Sequence, residues 1–166
     1  MKKILLLLLF TAPIMAQNGF KMEDGSIVWE RFYNAPNTDI KSLIATNEKL
    51  SLISDAEDTY IGVGEGVHNT CASGSVLMKC DTNFSFIIMK VADGYLVKVK
   101  DFRFLEKYGP MQLRIIPTSL EKYYLEYGKI RTTPKTQTDL ACVENFLAGV
   151  FSGKTVPAES PALTSN

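Results

Sequence analysis

The stretch FSFIIMKVADGYLVKVKDFRF, residues 84–104, decides the fold of this chain. Apolar side chains alternate on both sides of Asp93-Gly94, the dipeptide that favours a type I′ turn. A turn there pairs Ala92 with Tyr95 and predicts an antiparallel hairpin. Because successive side chains in a strand point to opposite faces, one face of the hairpin is fully apolar and can enter a core: Phe84, Phe86, Ile88, Tyr95, Val97 and Val99.

The opposite face of this hairpin is mixed, with aliphatic side chains across from lysines: Ile87, Met89 and Val91 against Lys98 and Lys100. Beyond Val99 the alternation slips, because Phe102 and Phe104 have the opposite parity. A β-bulge inserts one extra residue and shifts the facing of those that follow. We therefore predict a bulge near Lys100-Asp101 that returns both phenylalanines to the core side.

Two upstream segments also have strand composition. Residues 27–33 are rich in β-branched and aromatic residues and predict a first strand. Residues 60–67 alternate, with Gly62, Gly64 and Gly66 on one side, where a helix or a bulky side chain can pack against bare backbone. A phosphate-binding glycine loop is disfavoured, because a polar loop follows rather than a helix.

Helical spacing appears near both ends of the domain. A helix between residues 37 and 49 begins at Asn37 or Thr38, with Asp39 in its first turn. Its apolar face is Ile40, Leu43 and Ile44, and Leu50 extends it. The last helix opens at Thr136 or Thr138 and ends at Gly153. Its apolar stripe is Leu140, Val143, Phe146, Leu147 and Val150.

The sequence between the hairpin and the last helix allows more than one interpretation. Residues 111–115 alternate and predict a strand. Residues 119–127 fit a short helix with a Thr118-x-x-Glu121 capping box and Gly128 as its stop, or a tyrosine-rich extended segment. The helical spacing of Leu120, Tyr123, Tyr124 and Tyr127 favours the helix slightly. Together these elements predict one α+β domain over residues 27–153, with a flexible lead-in over 17–26 and a disordered tail over 154–166.

The first 16 residues have the layout of a secretory signal peptide. Lys2 and Lys3 give a positive start, residues 4–10 are all apolar, and Ala16 is the small residue before cleavage. The apolar run is well short of the roughly 20 residues that span a bilayer. We therefore expect a mature chain that starts at Gln17, is periplasmic or extracellular, and has no integral membrane segment.

Export bears on charge and on cysteine chemistry. Removing Lys2 and Lys3 from 18 basic residues leaves 16 against 18 acidic ones, a net charge of −2. Such a chain offers no overall electrostatic footprint for nucleic acid or anionic lipid. In an oxidising compartment Cys71 and Cys80, which bracket a short loop, are candidates for a disulfide. Cys142 is then a buried, small apolar residue of the last helix.

Groups for catalysis or metal binding are sparse. His68 is the only histidine, three residues from Cys71 in a polar loop, and it lacks the partners of a hydrolytic triad. The histidine and three cysteines lack paired zinc spacings, and the acidic cluster at 55–58 lacks a calcium-loop pattern. We therefore predict no catalytic residue, no metal and no cofactor. Two carboxylates brought together by folding would still allow a small hydrolase.

Surplus aromatic side chains are the candidates for a binding site. Their rings have apolar faces and polar edges that suit a sugar or peptide groove, and the same rings can instead pack the sheet. The candidates are Trp29, Tyr33, Tyr95, Tyr123, Tyr124 and Tyr127.

Three stretches together resemble a family of uncharacterised exported proteins of Gram-negative bacteria, a domain of unknown function with a TATA-binding-protein-like fold. They are DAEDTYIGVGEG (55–66), VADGY (91–95) and YGKIR (127–131). The family's hairpin turn is usually followed by an arginine, which is missing here. The resemblance spans residues 27–151. It implies a curved antiparallel sheet with two main helices on one face, and it implies no activity.

Export, sparse catalytic groups and surplus aromatics favour a non-catalytic envelope module. Such a module binds an envelope protein, peptide or glycan through its open sheet face or an edge strand. Two alternatives remain: a small hydrolase of envelope polymers with paired carboxylates, and a structural subunit. The fold name carries no expectation of nucleic-acid binding, because fold does not determine function.

Overall fold

The computed structural model describes residues 19–71 and 75–153 of the 166-residue chain. The expected signal peptide (1–16) and the expected tail (154–166) lie outside the described residues. The described elements are β1 Phe20–Glu23, β2 Ser26–Tyr33, α1 Ile40–Ala45, β3 Leu50–Ala56, β4 Thr59–Val67, β5 Thr82–Val91, β6 Gly94–Tyr108, β7 Arg114–Ser119, α2 Leu120–Tyr124, β8 Leu125–Glu126, β9 Lys129–Ile130 and α3 Pro134–Phe151.

Seven of these strands form one antiparallel sheet in the order β1-β2-β6-β5-β4-β3, with β7 paired to the far half of β6. Strands β8 and β9 form a separate hairpin. The buried side chains of all three helices join a single core with the same face of the sheet. The structure therefore confirms an open antiparallel sheet of the α+β class, with its described helices on one face.

The decisive hairpin, β5 and β6, has the predicted core face, and each of its six residues is at most 3% exposed. Its register differs from the prediction by two residues, because Tyr95 pairs with Lys90 and not with Ala92. Val91 pairs with Gly94, so the loop is Ala92-Asp93. Neither loop residue has a positive φ, which excludes the type I′ turn expected at Asp93-Gly94.

Gly94 belongs to the strand because neighbouring backbone crosses it closely. A Cβ at this position would overlap the carbonyl oxygen of Tyr33. The positive φ angles of a type I′ turn occur instead at Asp24 (50°) and Gly25 (82°), between β1 and β2. The prediction of a flexible lead-in is therefore wrong for residues 20–26, which contain β1, and the second strand of that pair begins at Ser26.

The predicted bulge is present. Asp101 and Phe102 of β6 stand opposite the single residue Phe84 of β5, and Asp101 has φ 54°. The extra residue returns Phe102 and Phe104 to the core, where they are 2% and 0% exposed. The bulge is thus confirmed at the place where the alternation of the sequence slips.

The bare side of β4 packs against aromatic rings, as the spacing of its glycines predicts. Gly62 pairs with Phe86 and Gly64 with Phe84 on β5. A Cβ on Gly64 would lie 2.6 Å from Cζ of Phe84, and one on Gly62 would lie 2.8 Å from Cε2 of Phe86. Both distances are shorter than real contacts allow, so these two positions exclude larger residues.

Element boundaries differ from the sequence predictions around the first helix. Asp39, rather than Asn37 or Thr38, is the N-cap of α1, and its Oδ1 accepts a hydrogen bond from the Lys41 amide at 3.1 Å. The helix ends at Ala45, and Leu50 begins β3 instead of extending the helix. Its buried face is the predicted one.

The short-helix interpretation of residues 119–127 is confirmed for residues 120–124. The predicted capping box is absent, because Ser119 is the N-cap and Glu121 Oε1 accepts the Ile27 amide of β2 at 2.9 Å. Residues 125–130 form the β8–β9 hairpin, with Tyr127 and Gly128 in its turn.

The elements before and after α2 also begin at residues other than the predicted ones. The strand expected over residues 111–115 is replaced by a 3₁₀ turn, Pro110–Gln112, followed by β7. The last helix begins at Pro134, before both expected starts (Thr136 and Thr138), because the Thr133 hydroxyl oxygen caps it by accepting the Thr136 amide.

The disulfide joins Cys71 to Cys142, which corrects the predicted pairing of Cys71 with Cys80. The loop after β4 passes beside α3, and the two Cα atoms are 5.5 Å apart, within the usual range for a disulfide. Cys80 is the free thiol and follows a 3₁₀ turn, with its Sγ 3.8 Å from the Val76 carbonyl oxygen. Closeness in sequence is a poor guide here, because the bridge depends on which elements meet in space.

We predict opposite effects for two glycine-to-alanine substitutions. Gly64→Ala overpacks the ring of Phe84 and lowers the free energy of unfolding by about 1–3 kcal/mol. Gly149→Ala in α3 meets no atom within 4 Å and raises it by about 0.5–1 kcal/mol, because alanine is the better helix former. Urea unfolding followed by the fluorescence of Trp29, the one tryptophan, measures both. Equal effects of the two substitutions would contradict the packing described for β4.

We predict that Cys142→Ala lowers the free energy of unfolding by about 2–4 kcal/mol, because the bridge closes a loop across a sequence separation of 71. Cys80→Ala is the matched control and leaves the bridge intact. Peptide mapping without reductant should recover the 71–142 peptide and an alkylated Cys80. Recovery of a 71–80 peptide would overturn the pairing.

Candidate functional site

The structure does not bring the predicted aromatic set together. Trp29 and Tyr124 are buried in the core, whereas Tyr127 is 97% exposed at the tip of the β8–β9 hairpin. Tyr33 is half-buried beside α3, and Tyr123 is half-buried near the end of β6. Tyr95 is also in the core, so the six candidates are distributed among the core, two half-buried positions and one exposed tip.

Three of the tyrosines hold α3 in place through their hydroxyl groups. Tyr95 donates to the Phe151 carbonyl at 2.7 Å and Tyr33 to the Ala148 carbonyl at 3.2 Å, while their rings stack 4.9 Å apart. Tyr124 donates to Asp139 Oδ2 at 3.1 Å. Burial raises the pKa of all three, so each stays a protonated donor. These contacts satisfy carbonyls at the C-terminal end of the helix and a buried carboxylate, which is a structural role.

A second group of hydroxyls surrounds Glu106 in β6. Tyr108 donates to Oε2 at 2.6 Å and Tyr123 to Oε1 at 2.7 Å. Burial acts to raise the pKa of Glu106, but hydrogen bonds from Thr118, Tyr108 and Tyr123 outweigh it and hold this pKa below its ordinary value. The pKa of Tyr123 is raised to about 12, first by burial and then by its bond to Glu106. Glu106 is therefore a fixed anion that ties β6 to α2.

Two surface cavities carry carboxylates. The larger, of 480 Å³, lies among the end of α1, β4 and α3, and its lining includes Glu48, Lys49 and His68. The smaller, of 340 Å³, lies over the bulge and brings Glu65 and Asp101 to one rim. Both of these side chains are exposed, whereas the general acid of a glycosidase typically sits in an apolar pocket.

The described residues show neither a metal-binding cluster nor a membrane-spanning helix. Within residues 19–71 and 75–153, no group of three or more His, Cys, Asp or Glu is arranged to hold a metal ion. His68 is exposed, with its Nδ1 3.0 Å from Asp81 Oδ1. Over the same residues, no helix is both long enough and apolar enough to cross a membrane.

The sheet face opposite the described helices carries a row of apolar side chains. Phe32 on β2 pairs with Leu96 on β6, which pairs with Met89 on β5. On the next row Ile87 of β5 pairs with Ile61 of β4. Phe32 is 47% and Ile61 40% exposed, and the other three are half-buried. We call these five residues the open-face strip.

Charged pairs border this strip on the β1 side. Lys98 Nζ lies 2.9 Å from Glu23 Oε1 and 3.8 Å from Glu30 Oε2, and Lys21 lies 2.8 Å from Glu30. The hydrogen bond to Glu23 raises the pKa of Lys98. Because the charges are paired with one another, the border is polar and has no strong net sign.

The sheet edges are poor templates for an added strand. Strand β1 has only four residues, β3 is bulged at Ile53, and β7 contains Pro117, which has no amide hydrogen to donate. Short strands, bulges and prolines are the devices by which proteins protect sheet edges. The open face is therefore a stronger candidate for contact than an edge.

A solved structure with this architecture places the chain in the TATA-binding-protein-like α+β class. It is similar to a TBP-like protein from Parabacteroides distasonis, with TM-score 0.51 and 18% identity over 80% of this chain and 95% of that one. It is also similar to a DUF4468 family protein from Bacteroides ovatus, with TM-score 0.46 and 17% identity over 81% of this chain and 87% of that one. The first likeness confirms the fold implied by the sequence resemblance.

Two other comparisons give no match. No family model matches the chain, and no curated protein matches it.

Only part of the open-face strip could be predicted from the sequence. The predicted mixed face of the hairpin includes Ile87 and Met89, but the strand predictions for residues 27–33 and 60–67 do not single out Phe32 or Ile61. A signal was available, because Phe32 is out of phase with Trp29 and Tyr33 in a period of two and must therefore point to the other face.

We predict a pH-dependent role for Glu106. Because its folded-state pKa is lowered, its contribution to stability is complete above its ordinary value of 4.5 and is lost as the pH falls through the folded value. Glu106→Gln should cost about 1 kcal/mol at pH 7, and that difference from wild type should shrink towards pH 3. Urea unfolding at pH 7, 5 and 3 measures it, with exposed Glu126→Gln as the control. A difference that is constant with pH would contradict this assignment.

Proposed function

We propose that this chain is a non-catalytic module of the bacterial envelope, exported by cleavage after Ala16, which binds a protein partner through the open-face strip. The observation that carries the proposal is the row from Phe32 to Ile61 on a sheet face that the described helices leave uncovered. An apolar centre within a polar border is the common anatomy of a protein–protein contact.

The chemistry of the strip favours a protein over a glycan. Sugars are held by flat aromatic rings with polar edges, and the strip offers one ring and four aliphatic side chains. The candidate aromatic residues are mostly committed elsewhere, since Trp29 and Tyr124 are in the core and Tyr33 binds α3. Side chains such as Leu96 and Met89 instead suit the apolar surface of a folded protein or a peptide.

The arrangement of the acids supports a binding role rather than a hydrolytic one. Glu23 and Glu30 are paired with lysines, and Glu106 is held by hydroxyl donors. Glu65 and Asp101 share a rim but are exposed. Exposed or paired carboxylates lack the environment that makes one a general acid at neutral pH.

We predict that a photo-crosslinking residue placed at Phe32 captures one discrete protein in cells of the producing organism. The captured protein is then recovered by affinity purification on the wild-type chain and on variants of it. Phe32→Ser and Ile61→Ser should each lower that recovery at least tenfold. Each should change the free energy of unfolding by less than about 1 kcal/mol. Tyr127→Ser, which removes a more exposed side chain outside the strip, is the matched control.

Two outcomes would refute the proposal. One is that a crosslinker at Phe32 captures no protein that a crosslinker at Tyr127 does not also capture. The other is a native protein whose intact mass retains Met1, which would remove the export on which an envelope role rests.

A further inference from the structure

We infer that the paired ends of β6 and β7 form a membrane-contact arm, whose apolar tip enters the interface of a phospholipid bilayer. The arm comprises residues 105–117, with Leu105 to Tyr108 paired to Arg114 to Pro117. The pairing of β5 with β6 ends at Phe104, and that of β2 with β6 spans Tyr95 to Val99. The arm therefore extends beyond the rest of the sheet by about four residues, roughly 13 Å.

The tip of this arm concentrates exposed apolar side chains. Met111 is 88% exposed, Leu113 81%, Ile115 54% and Tyr108 44%. Four large apolar residues within eight positions are unusual on a surface where such residues are normally scattered. Because they stand on a projecting end rather than in a concave groove, they suit a deformable apolar phase.

Charges on the arm are placed to complement lipid phosphates. Lys107 pairs with Ile115 on one side of the arm, and Arg114 pairs with Tyr108 on the other. Arg114 follows Leu113 directly, and Lys107, whose Nζ also lies 3.8 Å from Asp81 Oδ2, stands one register position further from the tip. The sole acid within residues 105–117 is Glu106, whose carboxylate already accepts two tyrosine hydroxyls. Long basic side chains beside apolar ones at a membrane surface are the usual arrangement for interfacial contact.

The arm is held rigidly enough to present its tip. Tyr123 of α2 and Tyr108 both bond to Glu106, and the Leu105 amide donates to the Asp81 carbonyl at 2.8 Å. Contact with lipid would depend on local insertion, since the expected mature chain has a net charge of −2 and no long-range attraction to anionic lipid. This inference goes beyond the proposed function, because the arm lies at the end of β6 far from Leu96 of the open-face strip.

The test is flotation of the chain from Gln17 onward with vesicles of phosphatidylethanolamine and phosphatidylglycerol in a 7:3 ratio. Starting at Gln17 removes the apolar residues 4–10, which would bind lipid on their own. The double variant Met111→Ser, Leu113→Ser should lower the vesicle-bound fraction at least tenfold. The matched control Ile53→Ser, Val76→Ser removes two aliphatic side chains elsewhere that are 69% and 77% exposed, and it should stay within twofold of wild type.

Two further measurements locate the contact. With Met111→Trp, lipids brominated near the headgroup should quench the introduced indole, while Trp29, buried in the core, stays unquenched. Lys107→Ala and Arg114→Ala should each weaken binding roughly fivefold on these vesicles and leave binding to pure phosphatidylcholine unchanged.

Three results would overturn the inference. They are wild-type protein that does not float with vesicles, flotation that the tip double variant leaves unchanged, and a tip double variant whose only effect is to dissolve an oligomer seen by light scattering. The last result would assign the arm to a second copy of the chain. Because none of these readouts uses the partner of the open-face strip, the proposed function stands or falls separately.

Discussion

The packing of two phenylalanine rings against bare backbone is the contact on which the structure depends. Phe84 and Phe86 fill the side of β4 where Gly62 and Gly64 have no Cβ, and the edge of each ring meets Phe151 of α3. One layer of rings thus joins the sheet to its last helix. Close-packed interiors tolerate little change in volume, so the glycines and rings specify one another.

This packing also explains why one face of the sheet is open. The large rings and the buried faces of α1, α2 and α3 lie on the same side, and the disulfide from Cys71 to Cys142 holds α3 there. The other face therefore carries the open-face strip, one phenylalanine and four aliphatic side chains, with ion pairs on its β1 side. The binding proposal rests on that asymmetry rather than on any reactive group.

Much of the fold was predictable where the chain repeats with a period of two. Alternation identified the core face of the hairpin and the bulge at Asp101, because a strand has only two sides. The turn type could not be predicted from the Asp-Gly dipeptide alone. Asp-Gly makes a type I′ turn at 24–25, but at 93–94 the glycine belongs to the strand, where the backbone of Tyr33 packs against it. The cysteine pairing and the positions of the aromatic residues could not be predicted from the sequence, since both depend on which elements meet in space.

Strand β6 has a mechanical consequence of its own. Its fifteen residues run without interruption from the region of Leu96 to Tyr108, crossing the bulge on the way. The rise of a strand allows at most roughly 40 Å between Leu96 and Tyr108, and the bend at the bulge shortens that distance. If the open-face strip binds a partner protein and the arm contacts a bilayer, this single strand sets the distance between those two contacts.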